Sequence, residues 1–181
     1  MPTFVAEIQS VGDPADFRRR IAERIETVGD AVAVLEDWTE SSRETRTELA
    51  SKYDTAKSLA RDEVAEDGDG EDDAADLPAE DLLTHPAVSD GTKRRLREYS
   101  TKLYVFLDEE RSYEGAREEL LTALDAELGL YRRLLEAVGA DETVRDGQAA
   151  IARFARETAP GSPTQTATEL LLESAVDDRP D

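Results

Sequence analysis

The chain contains no cysteine, and it has one histidine, one tryptophan and one methionine among its 181 residues. Without cysteine it forms no disulfide, holds no thiolate-bound metal and has no cysteine nucleophile. The lone histidine, His85, leaves no second imidazole for a histidine-based zinc or iron site within one chain. We therefore predict no catalytic residue, no bound metal and no cofactor.

Long hydrophobic runs are also missing. No stretch approaches the roughly 20 apolar residues that a membrane-spanning helix needs. The opening sequence "MPTFVAEIQSVGDPADFRRR" lacks a basic segment followed by a long apolar run, so no secretory signal is visible. We expect a cytoplasmic protein that has no membrane partner.

Basic residues are scarce: 22 Lys and Arg stand against 43 Asp and Glu, a formal net charge of −21. Only four of the basic residues are lysines, Lys52, Lys57, Lys93 and Lys102. This composition resembles that of cytoplasmic proteins from halophilic archaea that accumulate salt. The resemblance is to a class of proteomes, and it implies a solvent rather than an activity. In molar salt, where the Debye length is about 3 Å, carboxylate repulsion is screened and the carboxylates keep the surface hydrated.

Proline is absent between Pro14 and Pro78, and this interval predicts a helix from about residue 14 to residue 66. Asp13 is a suitable N-cap, and Pro14 suits the first helical position. Apolar residues then recur at alternating spacings of three and four, which is typical of a coiled-coil seam. They are Ile21, Ile25, Val28, Val32, Leu35, Leu49, Tyr53, Ala56 and Ala60.

A second seam with the same spacing predicts a helix over about residues 90–138, with Gly139 as its C-cap. Its members are Leu96, Tyr99, Leu103, Phe106, Tyr113, Leu120, Leu124, Leu128, Tyr131, Leu134 or Leu135, and Val138. Asp141 caps a predicted helix over residues 142–158. The capping box "SPTQ" at residues 162–165 predicts a last short helix that ends near Val176. Residues 1–12 fit a short strand, a helical turn or a loose arm.

The predicted fold class is all-α, a long antiparallel helical hairpin, coiled-coil-like, with shorter C-terminal helices packed at its base. We expect one helical domain over residues 1–160, with an acidic linker at 67–89. Residues 161–181 are expected to form a short helix and a frayed acidic tail. The C-terminal helix of the domain is expected to place Ile151 and Phe154 on the base of the hairpin.

Polar stretches interrupt both seams and suggest the register of the hairpin. When opposed residue numbers sum to 155 or 156, "TESSRETRTE" (residues 39–48) faces "DEERSYEGAR" (residues 108–117). Arg46 then lies opposite Glu110, and we predict that this pair fixes the register. In the alternative interpretation, the polar middle is a solvated, bent or broken stretch.

The far end of the hairpin has no obvious cover, so we interpret it as an interaction seam. Its residues are Leu49, Tyr53, Tyr99, Leu103 and Phe106. We expect a second protomer to cover this end and to give a homodimer. In the alternative, "LPAEDLLTHPAV" (residues 77–88) folds back over it through Leu82, Leu83 and Val88.

The acidic run "EVAEDGDGEDDAADLPAED" at residues 63–81 invites comparison with a calcium loop. With Asp69 at the first position of an EF-hand, Glu71, Asp73 and Glu80 fall at further ligand positions, but Ala74 stands where the sharp turn needs glycine. Leu77 and Pro78 also disrupt the second half. We therefore interpret the run as a solvated linker.

The leading functional hypothesis is a non-enzymatic helical scaffold or adaptor that binds protein and self-associates. The alternative is a DNA-binding or transcription-linked regulator that uses the basic segment at residues 92–97. The net charge opposes phosphate binding at ordinary ionic strength. A single uninterrupted helix from residue 90 to residue 138 would also count against a helix-turn-helix. A third hypothesis, a small-molecule-binding helical bundle, lacks a candidate set of convergent polar groups.

Overall fold

The structure is a computed structural model, and it describes residues 3–67, 76–139, 142–158 and 165–177. The described helices are α1 (Phe4–Gln9), α2 (Pro14–Asp67), α3 (Ala79–Thr84), α4 (Asp90–Ala137), α5 (Val144–Thr158) and α6 (Ala167–Asp177). The fold is all-α, with the long helices α2 and α4 packed against each other and the shorter C-terminal helices beside them. The predicted fold class is confirmed.

The two long helices have nearly the predicted bounds, because the signals at their ends are local. The Asp13 carboxylate accepts a hydrogen bond from the backbone N–H of Asp16 at 3.0 Å. Gly139 has a φ of +92°, a left-handed conformation that suits glycine after a helix. Both helices run without interruption through residues 39–48 and 108–117. The polar middle is therefore not a break in either helix, but it is solvated, since most of residues 39–48 and 108–117 are exposed.

The starts of the shorter helices differ from the predictions. Helix α6 begins at Ala167, two residues after the predicted "SPTQ" box, of which residues 162–164 lie outside the described residues. The capping box belongs instead to Thr166 and Glu169, since the Thr166 N–H donates to Glu169 Oε2 at 3.0 Å. Helix α5 starts in the same way, with the Thr143 N–H donating to Asp146 Oδ2 at 3.1 Å. Asp141, the predicted cap, also lies outside the described residues.

The chain divides into two compact units, of which unit 1 comprises Met1–Trp38 and Gly115–Asp181. Its core combines the first part of α2 with the last part of α4, and α1, α5 and α6 add buried side chains to it. Ile151 of α5 is fully buried in this cluster, and Phe154 packs against it. The same cluster contains Ile21, Leu134 and Val138, so α5 covers the residues predicted for it.

Unit 2 comprises Thr39–Glu114 and has a smaller core of its own. Its buried residues are Ala56, Ala60, Leu82, Val88 and Leu96. Because Leu82 and Val88 belong to the fold-back segment, residues 77–88 cover this part of the hairpin. The fold-back alternative is confirmed for this part, and cover of Leu49, Leu103 and Phe106 by a second protomer stays a prediction.

Glu63 of α2 fastens this fold-back at the start of α4. Its carboxylate accepts hydrogen bonds from the Ser89 N–H at 2.6 Å and from the Thr92 hydroxyl at 2.7 Å. These two bonds lower the pKa of Glu63 from its ordinary value. Residues 68–75, the centre of the acidic run, lie outside the described residues.

Candidate interaction surface

Residues 39–58 of α2 and 97–114 of α4 form a two-helix part of unit 2, called here the exposed helix pair. Ala56 is the only buried residue within it. Two helices share a single contact face, so their remaining surfaces stay open unless a further element packs on them. Within unit 2, that further element is the segment around α3, which contributes to the core at Ala56 and Ala60.

The predicted interaction seam lies within the exposed helix pair. All five of its residues, Leu49, Tyr53, Tyr99, Leu103 and Phe106, are half-buried in the single chain. Tyr53 and Tyr99 pack against the core of unit 2. Leu103 lies further from this core, where it lines an open groove of about 800 Å³ with Leu107 and Ala50.

Large hydrophobic side chains are exposed on the same pair. Tyr104 is 72% exposed and Tyr113 is 66% exposed, and Val105 and Leu107 are also open to solvent. These are four of the seven large hydrophobic side chains that are exposed in the described part of the chain. The prediction that Tyr113 belongs to the seam is wrong. Tyr104 and Leu107 are three residues apart and share one side of α4, whereas Tyr113 is nine residues from Tyr104 and faces the opposite side.

Tyrosine is concentrated in the exposed helix pair, which holds four of the five tyrosines of the chain. Tyrosine is enriched at protein interfaces because its ring supplies apolar area while its hydroxyl still finds a hydrogen-bond partner. The fifth tyrosine, Tyr131, is fully buried in unit 1. The exposed pair thus shares the tyrosine enrichment of protein interfaces.

The exposed helix pair is also nearly neutral. It carries nine acidic and seven basic residues, a formal charge of −2, so the rest of the chain carries −19 of the total −21. Three of the four lysines lie in it. Lys102 bonds Glu98 at 2.6 Å, and Lys52 bonds Glu48 one turn away on its own helix. The low net charge comes from a near balance of the two signs, since 16 of the 38 residues of the pair are charged.

The structure brings Arg46 and Glu110 together. Arg46 Nη1 lies 3.5 Å from Glu110 Oε2, and the Ser42 hydroxyl donates to Glu110 Oε1 at 3.1 Å. The Arg46 side chain is 49% exposed and that of Glu110 is 17% exposed. An ion pair this open contributes roughly 0–1 kcal/mol. Its role in fixing the register stays a prediction.

Unit 1 contains a buried ionic cluster that the sequence patterns do not predict. Arg24 Nη2 lies 3.3 Å from Glu127 Oε1 and donates to the Thr166 hydroxyl at 2.6 Å. Glu127 also accepts from the Tyr131 hydroxyl at 2.8 Å and from the Thr168 hydroxyl at 2.8 Å. Burial raises the pKa of Tyr131 well above its ordinary value, and the Glu127 charge raises it further. The cluster joins α2 and α4 to the first turn of α6.

The residues next to this cluster also contact one another. The Arg24 guanidinium lies 4.6 Å from the centre of the Phe4 ring, and the Phe4 N–H donates to Glu169 Oε1 at 2.6 Å. A shallow cleft of about 250 Å³ opens beside Arg24. Its charged groups already pair, as Arg20 does with Glu7 at 3.8 Å. The cluster therefore holds α1 and α6 on the hairpin.

Among the described residues, no group of three or more His, Asp or Glu side chains is arranged to hold a metal ion. Within those same ranges, no helix combines the length and apolar character required to cross a bilayer.

Comparison of the chain with protein-family models, with curated proteins and with solved structures gives no match. Function is therefore inferred from this chain's own residues.

Proposed function

We propose that this chain is a non-enzymatic helical interaction protein of a salt-rich cytoplasm that binds protein through the exposed helix pair. The observation that carries the proposal is the coincidence of half-buried seam residues with the exposed side chains of Tyr104 and Leu107 on one pair of helices. The partner we propose is a second copy of the chain, which makes the protein a homodimer.

A second copy suits this surface for a geometric reason. Two helical pairs packed face to face form a four-helix arrangement, in which each seam gains the cover that a single pair lacks. A two-fold contact also lets one surface serve both protomers. Leu103 and Leu107, which line the open groove, would then contact apolar groups of the partner.

Charge favours the same surface. Two chains of charge −21 repel each other least where they approach through a region of charge −2. The basic residues of the pair are spread over both helices, for example Arg43 and Lys52 on α2 and Lys102 on α4. A second copy therefore presents both acidic and basic side chains to the acidic and basic side chains of the first.

The test uses exposed side chains whose removal leaves the fold intact. We expect Tyr104→Ser combined with Leu107→Ser to weaken self-association tenfold or more, which corresponds to about 1.4 kcal/mol. The matched control is Leu121→Ser, because Leu121 is 40% exposed and Leu107 is 39% exposed, yet Leu121 lies in unit 1. Sedimentation velocity in about 2 M KCl, where charge repulsion is screened, measures the self-association of the double variant and of the control.

Equal association by the control and the double variant would place the interface elsewhere. If the wild-type chain stays monomeric in that salt and retains no protein partner in a pull-down, the interaction function is wrong.

The DNA-binding alternative is less well supported. Arg94, Arg95 and Arg97 are exposed at the start of α4, after a short helix and turn, as that hypothesis requires. However, α4 continues without a break to Ala137, and this continuity counts against a helix-turn-helix.

A further inference from the structure

The charge of the chain is distributed unevenly with respect to the exposed helix pair. The pair carries −2, and all the other residues together carry −19. Two copies that meet through the pair therefore also bring together the charge of −19 that each chain carries outside it. This inference rests on the proposed function and concerns the regulation of the same surface.

The two parts of this arrangement respond differently to salt. Apolar contact through Tyr104, Leu107 and their neighbours is not weakened by salt. Repulsion between the acidic surroundings acts over longer distances, and it is screened beyond about 8 Å at physiological ionic strength but beyond about 3 Å at 1 M. Added salt thus removes the charge repulsion and leaves the apolar contact.

We propose that ionic strength controls the self-association of this protein, which is a monomer in dilute salt and a dimer in molar salt. The contact surface is the same in both conditions, and the repulsion around it is what changes. From screened Coulomb repulsion between two chains of this charge, we expect the dissociation constant to fall roughly ten- to a hundredfold between about 0.15 M and 2 M KCl.

Charge removal outside the pair separates this mechanism from a local one. Glu26→Gln, Asp30→Asn, Asp125→Asn and Glu136→Gln all lie at exposed positions of unit 1. Together they change the net charge from −21 to −17 without changing side-chain size. We expect this quadruple variant to dimerise roughly threefold or more tightly than wild type in dilute salt, and equally tightly in molar salt, since repulsion scales with the product of the charges.

The experiment is sedimentation equilibrium of the full chain at both salt concentrations, with wild type, the quadruple variant and Leu107→Ser. Far-UV circular dichroism in each buffer checks that the helices persist. The lower salt concentration is chosen so that the helical signal still equals that in molar salt. Leu107→Ser is expected to weaken the dimer at both concentrations, because it removes contact area and not charge.

The outcomes distinguish this inference from the function on which it rests. A wild-type dimer of equal strength in both salts overturns salt control and leaves the homodimer standing. A quadruple variant with the salt response of wild type overturns it as well, as does a dimer that tightens in dilute salt. A monomer in every condition overturns the homodimer and this inference together.

Discussion

Arg24 and Glu127 place two charges in the core of unit 1, where the Glu127 side chain is fully buried and that of Arg24 is 8% exposed. Taking a charge out of water is costly unless it is paired and hydrogen-bonded. Here Thr166, Thr168 and Tyr131 supply the additional hydrogen bonds. Removing one charge should therefore cost much more than removing both.

We expect Arg24→Met to lower the free energy of unfolding by about 3–5 kcal/mol, because it leaves the Glu127 carboxylate buried without its counter-charge. The double variant with Glu127→Met should be less destabilised than the sum of the two single variants by about 2 kcal/mol or more. Denaturant unfolding in molar salt measures all three. Additive effects would show that the two charges do not depend on each other.

Gly147 of α5 lies against the ring of Phe17, and a Cβ there would come within 2.7 Å of that ring. Alanine usually stabilises a helix interior relative to glycine by roughly 0.5–1 kcal/mol. At this position we expect the opposite, a loss of about 1–3 kcal/mol from overpacking. The control is Gly129→Ala, where a Cβ meets nothing within 4 Å. Thermal unfolding compares the two, and a stabilised Gly147→Ala would mean that Phe17 moves aside freely.

At the level of the element, the start of α4 depends on a carboxylate from another helix. Glu63 accepts hydrogen bonds from Ser89 and Thr92, so its pKa is lowered in the folded chain. A carboxyl whose pKa is lower when folded contributes stability above its unfolded pKa. That contribution is lost as the pH falls through the folded pKa.

We expect Glu63→Gln to destabilise unit 2 by about 1 kcal/mol near neutral pH, the usual effect of losing a helix cap. The variant should also lose part of the decrease in stability that wild type shows on acidification. Glu66→Gln, an exposed neighbour on the same helix, is the control. Urea unfolding from about pH 7 down to pH 3 measures this, because the unperturbed glutamate pKa of about 4.3 lies in that range. A Glu63 variant with an unchanged pH slope would contradict the capping role.

The long helices could be predicted because their signals lie within about four residues of each end. Asp13 with Pro14 marks the start of α2, and Gly139 marks the end of α4. The contact of Arg46 with Glu110 could be predicted by aligning the single polar stretch of α2 with the single polar stretch of α4. Local spacing and composition were sufficient for these features.

The buried cluster could not be predicted in the same way. Arg24 and Glu127 lie off the apolar seams, and in a chain with 43 acidic residues neither stands out from the solvated charges. Their additional partner, Thr168, is 41 residues further along the chain than Glu127. Which charges are buried depends on where α6 packs, and the helical period alone does not determine that. The sequence also leaves open whether residues 77–88 cover the core around Ala56 and Ala60, since two apolar residues such as Leu82 and Val88 occur in buried and in exposed segments alike.

At the scale of the whole molecule, two features oppose each other. A net charge of −21 keeps copies of the chain apart, whereas the exposed helix pair offers tyrosines, leucines and a charge of only −2. Proteins of high net charge stay soluble through repulsion, and exposed apolar clusters promote association. We expect association to prevail when salt screens the repulsion.

The most direct test is the molar mass of the wild-type chain, measured by light scattering during size-exclusion chromatography in about 2 M KCl, where repulsion is screened. We expect a mass that rises with protein concentration to twice the 20.0 kDa of one chain. We also expect Tyr104→Ser combined with Leu107→Ser to lower this mass at a given protein concentration. A mass of one chain at every concentration, the same for wild type and the double variant, would contradict both expectations.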